Sequence, residues 1–214
     1  MNKFNSNFFS LLIIFLFINY NLFSQVINVE GKRQSQEQGL SGVIDFSFDY
    51  KKSKNLDWKF TSLSYLQWDN VSWSILFLNE INLDRAGGVD FSNDGYQHLR
   101  LSNHLNSKYT IESFIQNQYD PVRDIKNRKL YGLGLRYKII YDNFIGLSSF
   151  YENELLEGDV VNNTIRLSTY LQLKFDLNQY VSLSSTTYFQ QARTKGSSGP
   201  IGVACSKRAG FEAR

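Results

Sequence analysis

Cysteine is nearly missing from this chain. Cys205 is the one thiol in 214 residues, which excludes an intramolecular disulfide framework and any multi-cysteine metal site. Histidine is almost as scarce, with two residues, and there are only two prolines. Past the first 24 residues there is no long apolar run, so no later helix is apolar enough to span a bilayer, and a membrane could be crossed only by strands. A surplus of one charge is missing as well. The formal net charge of +3 comes from the ends. Residues 191–214 carry Arg193, Lys195, Lys207, Arg208 and Arg214 against Glu212, and Lys3 lies in the leader, so residues 25–190 have a net charge of −2. A nucleic-acid partner loses its main support.

What is present is aromatic and alternating. Phe and Tyr number 17 and 13 and suit strands and membrane interfaces. In residues 162–190, Ile165, Leu167, Leu171, Leu173 and Phe175 point one way, while Arg166, Ser168, Tyr170, Gln172 and Lys174 point the other. This period of two is that of a strand with unlike faces. Asp176-Leu177-Asn178-Gln179 reads as a turn, and a return strand follows through Val181, Leu183 and Phe189. The pattern recurs upstream and gives nine strands from about residue 40 to 190, with a break in parity near Ser62 that suggests a bulge.

Four connections read as short turns, at residues 69–70, 106–108, 141–143 and 176–179. Those between them, at 84–94, 120–128 and 154–161, read as long polar loops. Short turns alternating with long loops is the pattern of an outer-membrane barrel. Trp68, Trp73, Tyr109, Tyr141, Phe175 and Tyr180 flank the short turns as one aromatic girdle; Tyr50, Trp58, Tyr119, Tyr131 and Tyr151 fit a second. The expected fold is all-β, an up-and-down antiparallel transmembrane β-barrel of nine recognisable strands, ten to twelve if complete. A soluble barrel, with its apolar face turned inward around a ligand, is the alternative.

Residues 1–24 have the form of a cleaved secretory signal: Lys3, then an eleven-residue h-region at 8–18, and Leu22 and Ser24 at the −3 and −1 positions. Residues 25–190 form the barrel. Residues 191–214 are rich in Gly and basic residues, lack alternation, and do not end in an aromatic residue. They read as out of frame or as a disordered basic extension.

By parity the polar face of the strands turns into the lumen. It carries Asp45, Asp49, Glu80 and Glu112 with His98, Arg100, Arg136, Lys138, Arg166 and Lys174. Both signs in a narrow interior predict paired charges filling it, and an interior that conducts poorly. Enzyme chemistry finds little footing. Ser102 lies roughly 13 Å along the strand from His98 and roughly 7 Å from His104, too far for a nucleophile–base hydrogen bond. The histidines have no ligand cluster at metal spacing. Gly132 and Gly134 precede no helix, so they relieve crowding rather than cradle phosphate. No catalytic, cofactor or metal residue is expected.

The segments GVIDFSFDY, DFSNDGYQHLRLSNHLN, YGLGLRYKII and LSSTTYFQ resemble a family of small outer-membrane proteins catalogued as domain of unknown function number 481, over about residues 26–190. Some members are described as salt-stress-induced. The resemblance implies a barrel in the outer membrane of a two-membrane bacterium and transfers no catalytic residues. Expected partners are outer-membrane lipid and the barrel-assembly machinery that inserts such chains. The expected role is structural or related to envelope stress, with a small-solute channel and a lipid-modifying enzyme as alternatives.

Overall fold

A computed structural model describes residues 29, 33, 38–52, 56–87, 89–176, 182–193 and 210–211. The segment read as a secretory signal lies outside them, as does most of the C-terminal tail. The described chain is all β, with strands β1 (Gly39–Lys52), β2 (Leu56–Asp69), β3 (Trp73–Ala86), β4 (Val89–His104) and β5 (Tyr109–Asp120). They are followed by β6 (Ile125–Ile140), β7 (Asn143–Leu156), β8 (Val161–Asp176), β9 (Ser182–Arg193) and a two-residue β10 (Gly210–Phe211). All ten lie in one antiparallel sheet in sequence order, each paired with the strand before it. No pairing joins β1 to the far edge among the described residues, so the sheet is open, in a form consistent with a barrel. It curls strongly: β4, β5, β7, β8 and β9 all line one enclosed space.

The two faces are inverted relative to a soluble barrel. Interior positions are buried and largely polar: His98 is 2% exposed and Glu152 1%, beside Arg100, Ser102, Glu112, Arg136 and Thr186. Outward positions are apolar and open: Leu133 is 66% exposed, and Leu135, Leu147, Ile165 and Leu167 are exposed with it. Water does not favour such an outer surface. Interior packing is tight enough to need glycine. A Cβ on Gly132 would stand 2.2 Å from the Phe114 ring, and one on Gly146 would stand 2.0 Å from the Tyr170 ring. The rings occupy the space those side chains would have filled.

Three expectations are corrected. The segments read as long loops are mostly strand: β3 runs to Ala86 and β4 starts at Val89, only Pro121–Asp124 separates β5 from β6, and only residues 157–160 separate β7 from β8. Every connection between β1 and β9 spans two to five residues, so loop length does not tell the two ends of the sheet apart. The reason is chemical. Toward this end both faces become polar and the alternation fades, while backbone pairing continues, as in Asn82 opposite Asp94 and Arg128 opposite Glu154. The Asn82 amide donates to Asp94 at 3.0 Å across that extension.

Next, there is no bulge at Ser62. The β1–β2 and β2–β3 registers pass through it unbroken, and the irregularities fall at Asp84/Arg85, Gln118/Asp120, Ile125/Asn127 and Lys138/Ile140. The apparent slip is a polar row on the outward face. Ser64 lies opposite Asn79, Asn79 opposite Gln97, Gln97 opposite Asn117, Asn117 opposite Lys129, Lys129 opposite Asn153, and Asn153 opposite Asn163. Finally, β9 continues to Arg193, past the expected end near residue 190, and Gly210–Phe211 pairs with it at Ser184 and Leu183.

Candidate functional site: the charged interior

Two carboxylates organise the interior. Glu112 on β5 sits opposite Ser102 on β4 and Gly134 on β6. A Cβ on Gly134 would stand 3.0 Å from Ser148 Cβ, and Glu112 is 5% exposed as a residue. Three guanidiniums converge on it: Arg33 by a direct ion pair, Arg100 with Nη1 at 3.2 Å, and Arg136 with Nη1 at 4.0 Å. Ser102 Oγ donates to it at 3.4 Å. Arg136 also lies over the Phe144 ring, 3.7 Å from the centroid, and Arg100 lies 5.6 Å from the Phe114 centroid. Both contacts are cation–π geometry.

Glu152 on β7 forms the second centre. Its direct neighbours across the ladder are Leu130 and Thr164; Arg128 and Arg166 reach it from the diagonal positions, each donating through Nε. Diagonal pairs of long side chains meet readily on one sheet face. Arg128 also lies 3.9 Å from Glu154. Buried charge is costly unless it is paired and hydrogen-bonded, and both carboxylates meet that condition.

His98 is sandwiched between rings, 6.1 Å from Tyr96 and 5.5 Å from Phe114, both stacked. Its Nε2 accepts from Arg100 Nε at 3.3 Å, so the proton sits on Nδ1, which donates to Gln116 Oε1 at 3.3 Å. Both nitrogens are engaged, which makes His98 a packing residue. His104 contacts Ser74 Oγ through Nε2 at 2.8 Å and Thr110 Oγ1 through Nδ1 at 3.1 Å. Sequence reasoning placed Ser102 too far from His104 for a hydrogen bond, and the serine that His104 meets is Ser74, across β3–β4. The group on its other nitrogen is a hydroxyl where an acyl-transfer triad places a carboxylate. Among the described residues no cluster of three His, Cys, Asp or Glu is placed to hold a metal. The space enclosed among His98, Arg100, Glu112, Phe150, Tyr170 and Tyr188 amounts to about 80 Å³, room for a few waters.

Of the residues expected to face the interior, His98, Arg100, Glu112 and Arg136 are buried there, Arg166 pairs with Glu152, and Lys174 is half-buried. Asp45 keeps the expected facing but is not enclosed. Register puts it on the face shared by Leu63 and Glu80, but β1 is the open edge of the sheet and Asp45 is exposed. Sequence reasoning missed Arg33, Arg128 and Glu152. Glu152 was within reach, since it shares parity with Phe150 and Ser148 on β7. Arg128 was assigned to a loop that is strand. Arg33 lies in a segment with no period. Val29, which packs in the cluster of Tyr65, Leu76, Leu78 and Tyr96, lies in the interior with it.

No family model matches the chain, and no curated protein or solved structure matches it at a significant level.

Proposed function

We propose that this chain is an outer-membrane β-barrel protein whose interior is closed by paired charges, and that it serves the envelope as a structural element rather than as an open pore or an enzyme. The observation that carries this reading is the inversion of the faces: apolar side chains outside, ion pairs and hydroxyls inside. The dimensions agree. On β6, Lys129 lies eleven residues from Ile140. At about 3.3 Å per residue and a tilt near 40° this is roughly 28 Å of height, close to the apolar band of such barrels. Trp73 and Tyr109 are exposed at the end of the sheet that carries the β2–β3 and β4–β5 turns, and Tyr131 and Tyr151 next to the polar row, as interfacial aromatics are. The resemblance to the salt-stress-associated family points the same way and implies a phenotype at high osmolarity.

Outer-membrane fractionation with heat-modifiable gel mobility tests location and barrel together. The expected result is an outer-membrane band that migrates faster unheated than boiled; a soluble chain with one mobility would refute the proposal. In planar bilayers the refolded protein is expected to give no steady large conductance. The second reading, a small-solute channel, is favoured by one feature. Five arginines (Arg33, Arg100, Arg128, Arg136 and Arg166) surround Glu112 and Glu152, so any conductance should select anions.

A further inference from the structure

We propose that the outward face between β4 and β8 holds a seat for one anionic glycerophospholipid, with an acyl chain in an apolar depression and the phosphate at Lys129. The inference rests on the membrane reading above.

The depression has a cause in the register. Leu133 is flanked across both ladders by serines, Ser113 on β5 and Ser149 on β7. Small side chains between bulky rows leave a trough of about 690 Å³, walled by Leu99, Leu101, Ile115, Tyr131 and Tyr151. A second hollow of about 540 Å³ adjoins it, sharing Leu99, Ile115 and Tyr131, and is lined further by Gln97, Asn117, Asn127 and Lys129. No acidic side chain lines either one. An apolar trough thus opens, past a tyrosine, into a polar one.

The polar hollow is rich in donors. Asn127 Nδ2 donates to Asn117 Oδ1 at 3.4 Å, Asn117 Nδ2 to Gln97 Oε1 at 3.2 Å, and Gln97 Nε2 to Asn79 Oδ1 at 3.3 Å. The chain runs one way: Asn117 and Gln97 each give one N–H and one oxygen to their neighbours, and Asn127 gives one N–H. A primary amide has two N–H groups, and the second of each remains for an outside acceptor. Lys129 is exposed and makes no ion pair among the described residues. One ammonium and several amide donors, with no carboxylate, fit phosphate and ester oxygens. Depth agrees as well: Lys129 to Leu135 spans about 20 Å of strand, near 15 Å of height when tilted, the thickness of one leaflet.

The test uses the full chain, refolded in neutral detergent, titrated with phosphatidylglycerol or phosphatidylcholine and read by native mass spectrometry. Circular dichroism and heat-modifiable mobility verify each variant's fold. The wild type is expected to retain phosphatidylglycerol about fivefold better, the factor for one lysine near a lipid phosphate. Lys129→Gln should bring the two lipids level, and Ser149→Phe, which fills the trough, should lower retention of both. Lys108→Gln, at the opposite end of the sheet, should change nothing. Equal retention by the wild type, a preference that survives Lys129→Gln, or an equal loss in Lys108→Gln (diffuse attraction) would overturn the seat. A chain that enters no bilayer of any composition would instead overturn the membrane reading beneath it.

Discussion

Glu152→Gln tests the charged interior most directly. The substitution keeps shape and a hydrogen-bonding group but removes the negative charge between Arg128 and Arg166. Breaking a buried ion pair on one side costs about 3–5 kcal/mol, because the partner stays buried without its counter-ion. The two arginines do not contribute alike. The Arg128 side chain is 12% exposed and lies near Glu154, whereas that of Arg166 is 24% exposed and can turn toward water. The Arg166 share therefore falls toward the about 1 kcal/mol of a surface pair, and the expected total is about 3–4 kcal/mol. With a urea slope of about 2 kcal/mol/M, the midpoint drops by roughly 1.5–2 M. The assay is urea unfolding of detergent-refolded protein followed by the fluorescence of Trp58, Trp68 and Trp73. Glu152→Gln combined with Arg128→Gln should recover part of the loss, since it withdraws the stranded guanidinium. A loss below about 1 kcal/mol for Glu152→Gln, the size of a surface pair, would refute the claim that this centre is buried and structural.

Further outcomes follow from other parts of the molecule. Gly146→Val should cost about 1–3 kcal/mol by driving the Tyr170 ring from its place, read in the same urea titration. Leu133→Arg, seven residues from Ile140 on the outward face, should cost about 2–4 kcal/mol in lipid; in water an exposed leucine would accept arginine nearly free of cost, so a neutral result in liposomes counts against the membrane reading. Asp159, in the turn after β7, is held below the usual carboxylate range by its hydrogen bond to Lys126 Nζ at 2.8 Å. A depressed acid contributes stability above its ordinary value and loses it as pH falls through the lowered one. Carboxyl NMR should therefore show Asp159 titrating low in the wild type and in the ordinary range in Lys126→Ala.

The nine long strands were legible where one face is apolar and the other polar, because a period of two then appears in the residues themselves, as in Leu167, Thr169 and Leu171 against Arg166, Ser168 and Tyr170. Where both faces are polar the ladder persists without a pattern to announce it, so residues 84–94 and 120–128 read as loops. The opposite error arose at Ser62, where a regular strand looked broken because Ser62 and Ser64 begin a polar row on the apolar side. Interior charges were legible by parity, but their pairing was not: Glu152 meets Arg128 and Arg166 only through diagonals set by register, and Arg33 comes from a stretch with no period at all.

The sheet's neighbour-only connectivity also sets the order in which such a molecule can be built. Each strand needs only the strand before it, so any hairpin of about 30 residues forms through local contacts, which favour speed. Joining the two edges, as the proposed barrel requires, closes a loop about five times longer. That step costs about 1.4 kcal/mol more in chain entropy than closing a single hairpin and comes last. Until then β1 offers a long row of unpaired N–H and C=O groups beside exposed Phe46, Phe48 and Tyr50, the kind of edge that recruits foreign strands. On the barrel proposed above, a newly made chain is most vulnerable at that seam until the two edges meet.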